Sequence, residues 1–264
     1  MAGGVINLSS IFVGLIFLLE SRILTFASAL LLMGIASSAA SLFIVLQLRP
    51  LVKGDIGNPT ASQVLLEHWQ YGRWNFLYAL VSWLSGQIVV LISSFFYGLR
   101  ASATIAASWN LYAPLNLFVQ GVSLLVLPTL ANFRERRQFV FWKRLTFAFS
   151  FSFGGLVLTY VAFLALFAKK LMKLLYSDSY SNTDILILIG IHFVFTTAGG
   201  MLAYSLKSSL KVKDIVKIRG VAGFLFLIFA FPLGYFLGIS GLILSTIIGE
   251  AFLTIFLFRE VNNS

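Results

Sequence analysis

The sequence contains no cysteine, two histidines and nine acidic residues, and each scarcity excludes a kind of chemistry. Without cysteine there is no disulfide, no thiolate nucleophile and no thiolate metal site. His68 and His192 are too few to build a metal cluster unaided. No paired carboxylates, His-Glu-x-x-His motif or glycine-rich phosphate loop occurs where a site could form. We therefore expect a protein that is not an enzyme and that needs neither a metal nor a cofactor.

Charge of either sign is also scarce, while long apolar runs dominate the chain. Only 11% of the 264 residues are charged and 59% are hydrophobic, with a mean hydropathy of +0.95. A chain of this length cannot hide so much apolar surface in a water-soluble core. Because helices satisfy their own backbone groups in lipid, we predict an all-α, multi-pass membrane protein with about eight spans. The predicted spans are 5–19, 23–47, 74–97, 102–131, 145–167, 185–206, 219–237 and 240–258.

The net charge of +10 arises from lysines and arginines that lie in the loops between the apolar runs. This placement indicates membrane orientation rather than nucleic-acid binding. With both termini in the cytoplasm, fourteen of the 19 basic residues fall on the cytoplasmic side and five outside. The longest loop divides the chain into three parts: two helices in 1–47, a cytoplasmic linker in 48–72 and six helices in 73–264.

Two successive predicted spans each carry a polar stripe with aromatic members. At 100° per residue, the members of each stripe fall on one face of a helix. Two readings stay open: the stripes form hydrogen bonds to neighbouring helices, or they line a solvated pathway suited to sugars. Pro114 lies within the second stripe and frees a backbone carbonyl. The stripes are Asn75, Tyr78, Ser82 and Ser85, and then Trp109, Tyr112, Asn116 and Gln120.

Three further side chains are weaker candidates. Arg100, in the turn "YGLRASAT", either attracts a phosphate or extends to the lipid headgroups. His192 either titrates near neutrality or bonds to a neighbouring hydroxyl. Glu250, the one acidic residue well inside a predicted span, either couples an ion or has a structural role.

Residues 73 to 258 resemble the second lobe of the polysaccharide-export flippases, a family that belongs to the multidrug/oligosaccharidyl-lipid/polysaccharide exporter superfamily. The resemblance rests on a Gly-Arg-Trp start in "YGRWNFLYALVSW", the mid-helix proline of "LYAPLNLF" and the Leu-Pro-Thr-Leu-Ala of "LVLPTLANFRER". It continues in "LLYSDSY" and in the closing pair "FPLGYFLGISGLILSTIIGE". The individual motifs are degenerate, and their order along the chain carries the similarity.

The resemblance implies a transporter of the bacterial inner membrane that moves an undecaprenyl-pyrophosphate-linked glycan between leaflets. Its contacts would be membrane lipids and the glycan lipid, and Arg73 or Arg100 would attract the pyrophosphate. Relatives have two six-helix lobes, so the resemblance implies that four N-terminal helices are missing here. A first lobe in trans or a homodimer would then complete the pathway. The alternatives are an ion-coupled multidrug or metabolite exporter and a non-transporting accessory subunit of a polysaccharide assembly complex.

The charge distribution generates the first testable prediction. A topology reporter fused after Arg137 should behave as cytoplasmic, and one fused after Asp184 as external, because basic loops stay inside. Alkaline phosphatase and green fluorescent protein fusions measure the two locations with opposite readouts. An internal location for the Asp184 fusion would overturn the predicted orientation.

Overall fold

A computed structural model describes residues 13–14, 16–17, 25–48, 61–176 and 183–264. All the secondary structure in these ranges is helical, as the sequence predicts. The six longest helices are α1 (Phe26–Leu48), α2 (Ala61–Tyr97), α3 (Leu99–Glu135), α4 (Phe139–Tyr176), α5 (Thr183–Ser208) and α6 (Val212–Asn262).

Five helices of the described part are long and apolar enough to cross a membrane: α2 from His68, α3, α4, α5 and α6. The chain is therefore a multi-pass membrane protein. The predicted span 5–19 lies mostly outside the described residues, and 23–47 corresponds closely to α1. The last two predicted spans both fall within α6, and the total of eight stays a prediction.

Several helices are longer than predicted, and the extension matters at two places. The third predicted span starts at 74, whereas α2 begins at Ala61, so residues 61–72 of the predicted linker are helical. The seventh predicted span starts at 219, whereas α6 begins at Val212. Basic residues that we placed in a loop therefore lie inside a helix.

The chain divides into two compact units, Met1–Val64 and Leu65–Ser264, and the boundary lies in the first turns of α2. In the first unit, α1 buries Ala36 and Ala40, and the Ser38 hydroxyl donates to the Gly34 carbonyl at 2.9 Å. Small residues, and hydroxyls that donate to a carbonyl of their own helix, are typical of helices that pack closely in membranes.

In the second unit, α5 is the central helix and packs against α3, α4 and α6. Its fully buried residues Leu186, Ile189 and Leu206 belong to the apolar core. The helix α2 is attached to α6 by the Tyr97 hydroxyl, which donates to the Gly234 carbonyl at 2.6 Å. These contacts bring α2, α5 and α6 around one polar region.

A backbone break at Gly238 divides the 51-residue α6 into two arms, 212–237 and 239–262. Gly238 has φ 62° and ψ −139°, a conformation that side chains with a Cβ strongly disfavour. The arms then pack side by side: a Cβ at Gly249 in the second arm would lie 3.0 Å from the Ala222 carbonyl oxygen in the first. The two arms therefore form a tight helical hairpin.

The break generates a stability prediction. Replacing Gly238 by alanine should lower the free energy of unfolding by about 1–3 kcal/mol, because alanine resists this backbone conformation. Thermal and denaturant unfolding of the purified protein in detergent micelles measures the change. Gly220→Ala is the matched control, since Gly220 is exposed in the first arm and nothing lies within 4 Å of an added Cβ. Equal losses in the two variants would contradict the role of Gly238.

Candidate functional site

A largely buried ion pair joins the two arms of α6. Nη2 of Arg219 in the first arm lies 3.3 Å from Oε1 of Glu250 in the second. Both side chains are largely withdrawn from the surface, with 14% and 12% of their area exposed. The close approach of the arms at Gly249 places Glu250 opposite Arg219. Charges in a membrane-spanning helix are costly, so such a pair is a candidate functional site.

The central helix α5 contributes His192 to the same region. Its Nε2 lies 3.3 Å from Oγ1 of Thr196, one turn further along the helix. Its Nδ1 is buried and has no hydrogen-bond partner in the described part of the chain. Nε of Arg219 and Oε2 of Glu250 are likewise buried without a described partner. Unpaired buried polar atoms are rare in proteins, and the three residues that carry them here line one cavity.

That cavity has a volume of about 30 Å³, and a second one of about 20 Å³ adjoins it. The two share Ser85, His192 and Thr246 in their linings. A cavity needs only about 10–15 Å³ of such space to hold one water molecule, provided that polar partners are present. In this conformation the site therefore accommodates water at the ion pair and is too small for a sugar.

The helix α2 supplies a tyrosine and two serines to the site. The Lys207 ammonium lies 3.9 Å from the centroid of the Tyr78 ring, and the Arg219 guanidinium lies 5.9 Å from the same centroid. The Ser85 hydroxyl lines both cavities and donates to the Val81 carbonyl at 2.7 Å. The Ser82 hydroxyl is buried one turn further along α2 than Tyr78 and interacts with the Tyr78 hydroxyl. Lys207 and Arg219 thus both lie against the tyrosine ring, and Arg219 also pairs with Glu250.

Three of the four residues of the first predicted stripe lie on the side of α2 that meets the ion pair. Tyr78, Ser82 and Ser85 are half-buried on the side of α2 that meets the ion pair, whereas Asn75 is exposed. Arg73 is also exposed, and its guanidinium lies 5.6 Å from the centroid of the Trp74 ring.

The structure divides the second predicted stripe among three environments. Trp109 lines the smaller cavity. Tyr112 is fully buried, stacks on Phe193 and donates its hydroxyl hydrogen to the Leu186 carbonyl at 3.0 Å. Asn116 and Gln120 are exposed. The stripe is therefore not one continuous wall in this structure.

The other two predicted positions lie apart from the ion pair. Pro114 is exposed within α3, and the helix continues on both sides of it. Arg100 is exposed in the first turn of α3. Neither residue lines the two cavities around the ion pair.

Sequence reasoning missed Arg219 because it took that residue as the cytoplasmic end of the span 219–237, and it missed Lys207 because it placed that residue in the loop after the span 185–206. In the structure Arg219 follows the start of α6 at Val212 by seven residues, which is about 10 Å along a helix. Lys207 lies in the last turn of α5. The available signal was the spacing from Val212 to Ile218, where apolar residues recur with helical periodicity between the lysines.

Comparisons of the chain with protein-family models, with curated proteins and with solved structures find no match. The geometry described above is therefore the basis on which a function can be argued.

The ion pair generates a second stability prediction. Replacing Glu250 by leucine leaves a guanidinium that cannot lose its charge, and removing one partner of a buried pair costs about 3–5 kcal/mol. The double variant Arg219→Met/Glu250→Leu should recover most of that loss. Unfolding of the purified variants in detergent gives the coupling energy between the two sites.

The matched control for this cycle is the exposed pair of Lys217 and Asp214, whose closest atoms are 3.9 Å apart. Lys217→Met should cost less than about 1 kcal/mol, because exposed pairs contribute little. If Glu250→Leu were equally mild, the Arg219–Glu250 pair would not hold the two arms together.

Proposed function

We propose that this protein is a membrane transporter that moves a lipid-linked oligosaccharide from the inner to the outer leaflet during polysaccharide or lipopolysaccharide assembly. The substrate would be an undecaprenyl-pyrophosphate-linked glycan. The observation that supports the proposal is the buried Arg219–Glu250 pair with Lys207 close by. Ionisable groups inside a membrane protein mark substrate or ion pathways, and an excess of cations favours an anionic headgroup.

The donors around the pair suit a pyrophosphate. A guanidinium binds phosphate oxygens through two parallel hydrogen bonds, and Nε of Arg219 has no partner in the described part of the chain. A phosphate oxygen can therefore replace the Glu250 carboxylate as the partner of Arg219. The Tyr78 ring and the serine hydroxyls of α2 offer a surface and hydrogen bonds to a sugar.

Transport requires the site to open, since the present cavity accommodates only water. The break at Gly238 lies where the two arms of α6 meet, and such positions absorb the backbone rotation of a hinge. We propose that the arms separate when the headgroup displaces Glu250. Access to the site would then alternate between the two sides of the membrane.

The proposal includes the finer expectations from the sequence. The protein resides in the bacterial inner membrane with eight spans and with both termini in the cytoplasm, and residues 73–264 form a six-helix lobe of the exporter type. One such lobe supplies a single wall of a pathway. A first lobe in trans or a second copy supplies the other, and the predicted pathway residues Asn75, Asn116 and Gln120 would face it.

An ion-coupled exporter of drugs or metabolites is the second candidate function, and one observation favours it. His192 and Glu250 both line the same buried cavity, so a proton bound there would change the partner of Arg219. This candidate predicts that export of the cargo depends on a proton gradient. It also predicts that no pyrophosphate-linked glycan moves between leaflets.

The test is a flipping assay in proteoliposomes that contain the full chain and a fluorescent undecaprenyl-pyrophosphate oligosaccharide. A membrane-impermeant quencher measures how fast the label changes leaflet. We expect Arg219→Gln/Glu250→Gln to slow flipping by about tenfold or more, because a hydrogen bond to a charged group contributes about 1.5–3 kcal/mol. The paired substitution keeps both side chains similar in size and leaves no isolated charge.

Lys217→Gln is the matched control, since it removes one cation from an exposed position two residues before Arg219. It should leave the flipping rate unchanged. Flipping no faster than in protein-free liposomes, at an orientation and density that the assay verifies, would refute transport by this chain alone or by two copies of it.

A further inference from the structure

Two apolar cavities lie between α2 and the first arm of α6. The first has a volume of about 240 Å³ and is lined by residues from 81–88 of α2 and from 220–227 of the arm. The second, of about 250 Å³, lies further along the same two helices, at 92–97 and 230–235. An apolar cavity of about 150 Å³ is enough to hold a benzene molecule. Each of these cavities therefore has room for part of a hydrocarbon chain.

The helix α2 is held to α6 on both sides of the two cavities. At one end, the Tyr97 hydroxyl donates to the Gly234 carbonyl at 2.6 Å. At the other end, the Arg219 guanidinium lies 5.9 Å from the centroid of the Tyr78 ring. Because both ends are attached, the space between the helices is a bounded opening. We call the cavity next to Arg219, at 81–88 and 220–227, the α2–α6 gap.

Two glycines of α6 keep the α2–α6 gap open. Nothing lies within 4 Å of a Cβ added at Gly220, and the nearest neighbour of a Cβ added at Gly223 is the Ser85 hydroxyl oxygen, 4.0 Å away. Larger side chains at these two positions would occupy the space. Leu84 and Phe224, which also line the gap, are exposed, so the gap opens on the apolar outer surface of the second unit.

On its inner side the α2–α6 gap adjoins the cavity at the ion pair. Both spaces are lined by Ser85, Gly223 and Phe226, and Arg219 with its unpaired Nε also lines the second of them. A neutral hydrocarbon would use only the gap, and a soluble anion would use only the space beside Arg219. The ligand that suits both has a hydrocarbon chain and an anionic headgroup.

We propose that the α2–α6 gap holds the hydrocarbon chain of an anionic lipid whose headgroup binds at Arg219. This assignment rests on the proposed function, which supplies the pyrophosphate headgroup, and it adds the route by which the chain of that lipid leaves the site. Hydrocarbon gains little by moving from lipid into an apolar cavity, because both are apolar. The charged headgroup therefore gives the binding its specificity, while the gap keeps the attached chain in contact with lipid.

Photo-labelling of the full chain in phosphatidylcholine nanodiscs tests where the lipid chain lies. The probe is a prenyl pyrophosphate that carries a diazirine in its chain, and mass spectrometry identifies the labelled peptides. We expect labels within 81–88 and 220–227, the segments that line the gap. A prenyl alcohol with the same diazirine should label these segments much less, because it lacks the charge that Arg219 binds.

A substitution that fills the gap gives a second measurement. Gly223→Leu should lower labelling by the prenyl pyrophosphate about tenfold, because the added side chain and the lipid chain compete for the same space. Gly155→Leu is the matched control, since Gly155 is exposed in α4 and nothing lies within 4 Å of an added Cβ. It should leave the labelling unchanged. Circular dichroism and size-exclusion chromatography establish that both variants fold.

A third variant separates the headgroup from the gap. Arg219→Gln/Glu250→Gln leaves every residue on the α2 side of the gap in place and should lower the labelling of 81–88 as well, because the headgroup loses its partner. Unchanged labelling in this variant would mean that the chain enters the gap without help from the charged site, which would contradict the proposal.

Three further outcomes would overturn the proposal. Labels confined to other segments would mean that the chain lies elsewhere. Equal labelling of the gap by a phosphatidylcholine with the same diazirine would mean that bulk lipid fills it. Absence of labels in the gap from every probe would mean that another part of this chain covers it.

The flipping assay distinguishes failure of this proposal from failure of the proposed function. Flipping without labels in the gap would refute only the route of the lipid chain. Labels that depend on the pyrophosphate, without flipping, would refute only transport.

Discussion

The pairing of Arg219 with Glu250 is the interaction on which the second unit depends. It joins two arms of one long helix across a backbone break, and it does so inside the membrane-spanning part of the chain. A guanidinium in this position keeps its charge, so a partner must be present whenever the arms are closed. The packing of Gly249 against the Ala222 carbonyl brings that partner within reach. The packing of the two arms of α6 and the pairing of the two charges therefore depend on each other.

The composition was sufficient to predict the fold class. Long apolar runs in a chain this short leave helices in a membrane as the arrangement that satisfies the backbone. Helices of the described ranges occupy seven of the eight predicted positions, five as separate elements and two as arms of α6, and the remaining position, 5–19, lies mostly outside those ranges. Helix ends were predicted less well. Hydropathy detects the apolar core of a helix and stops at the first lysines, whereas α6 continues helically through Lys213 and Lys217. That error hid Arg219 from the sequence analysis.

The polar stripes show a second limit of sequence reasoning. Helical spacing correctly identifies which residues share one face of a helix. It does not identify which other helix, or lipid, each of those residues contacts. Along α3, Tyr112 meets Phe193 and Leu186 of α5, while Asn116, one turn later, is exposed. In a water-soluble protein, the buried face of a helix is apolar and the exposed face is polar, so the sequence distinguishes the two faces. In a membrane protein both the core and the lipid are apolar, so that distinction is missing.

The unpaired atoms around the ion pair link the packing of the site to what it can do. Arg219, Glu250 and His192 each keep one buried polar atom without a described partner, whereas the hydroxyls of Ser85 and Thr246 donate to backbone carbonyls of their own helices. A purely structural ion pair is expected to use its remaining donors and acceptors, because its desolvation is otherwise poorly offset. Here Arg219 and Glu250, which carry a spare donor and a spare acceptor, both line a cavity with room for water. The proposed exchange of Glu250 for an anionic headgroup depends on these unpaired atoms of the pair.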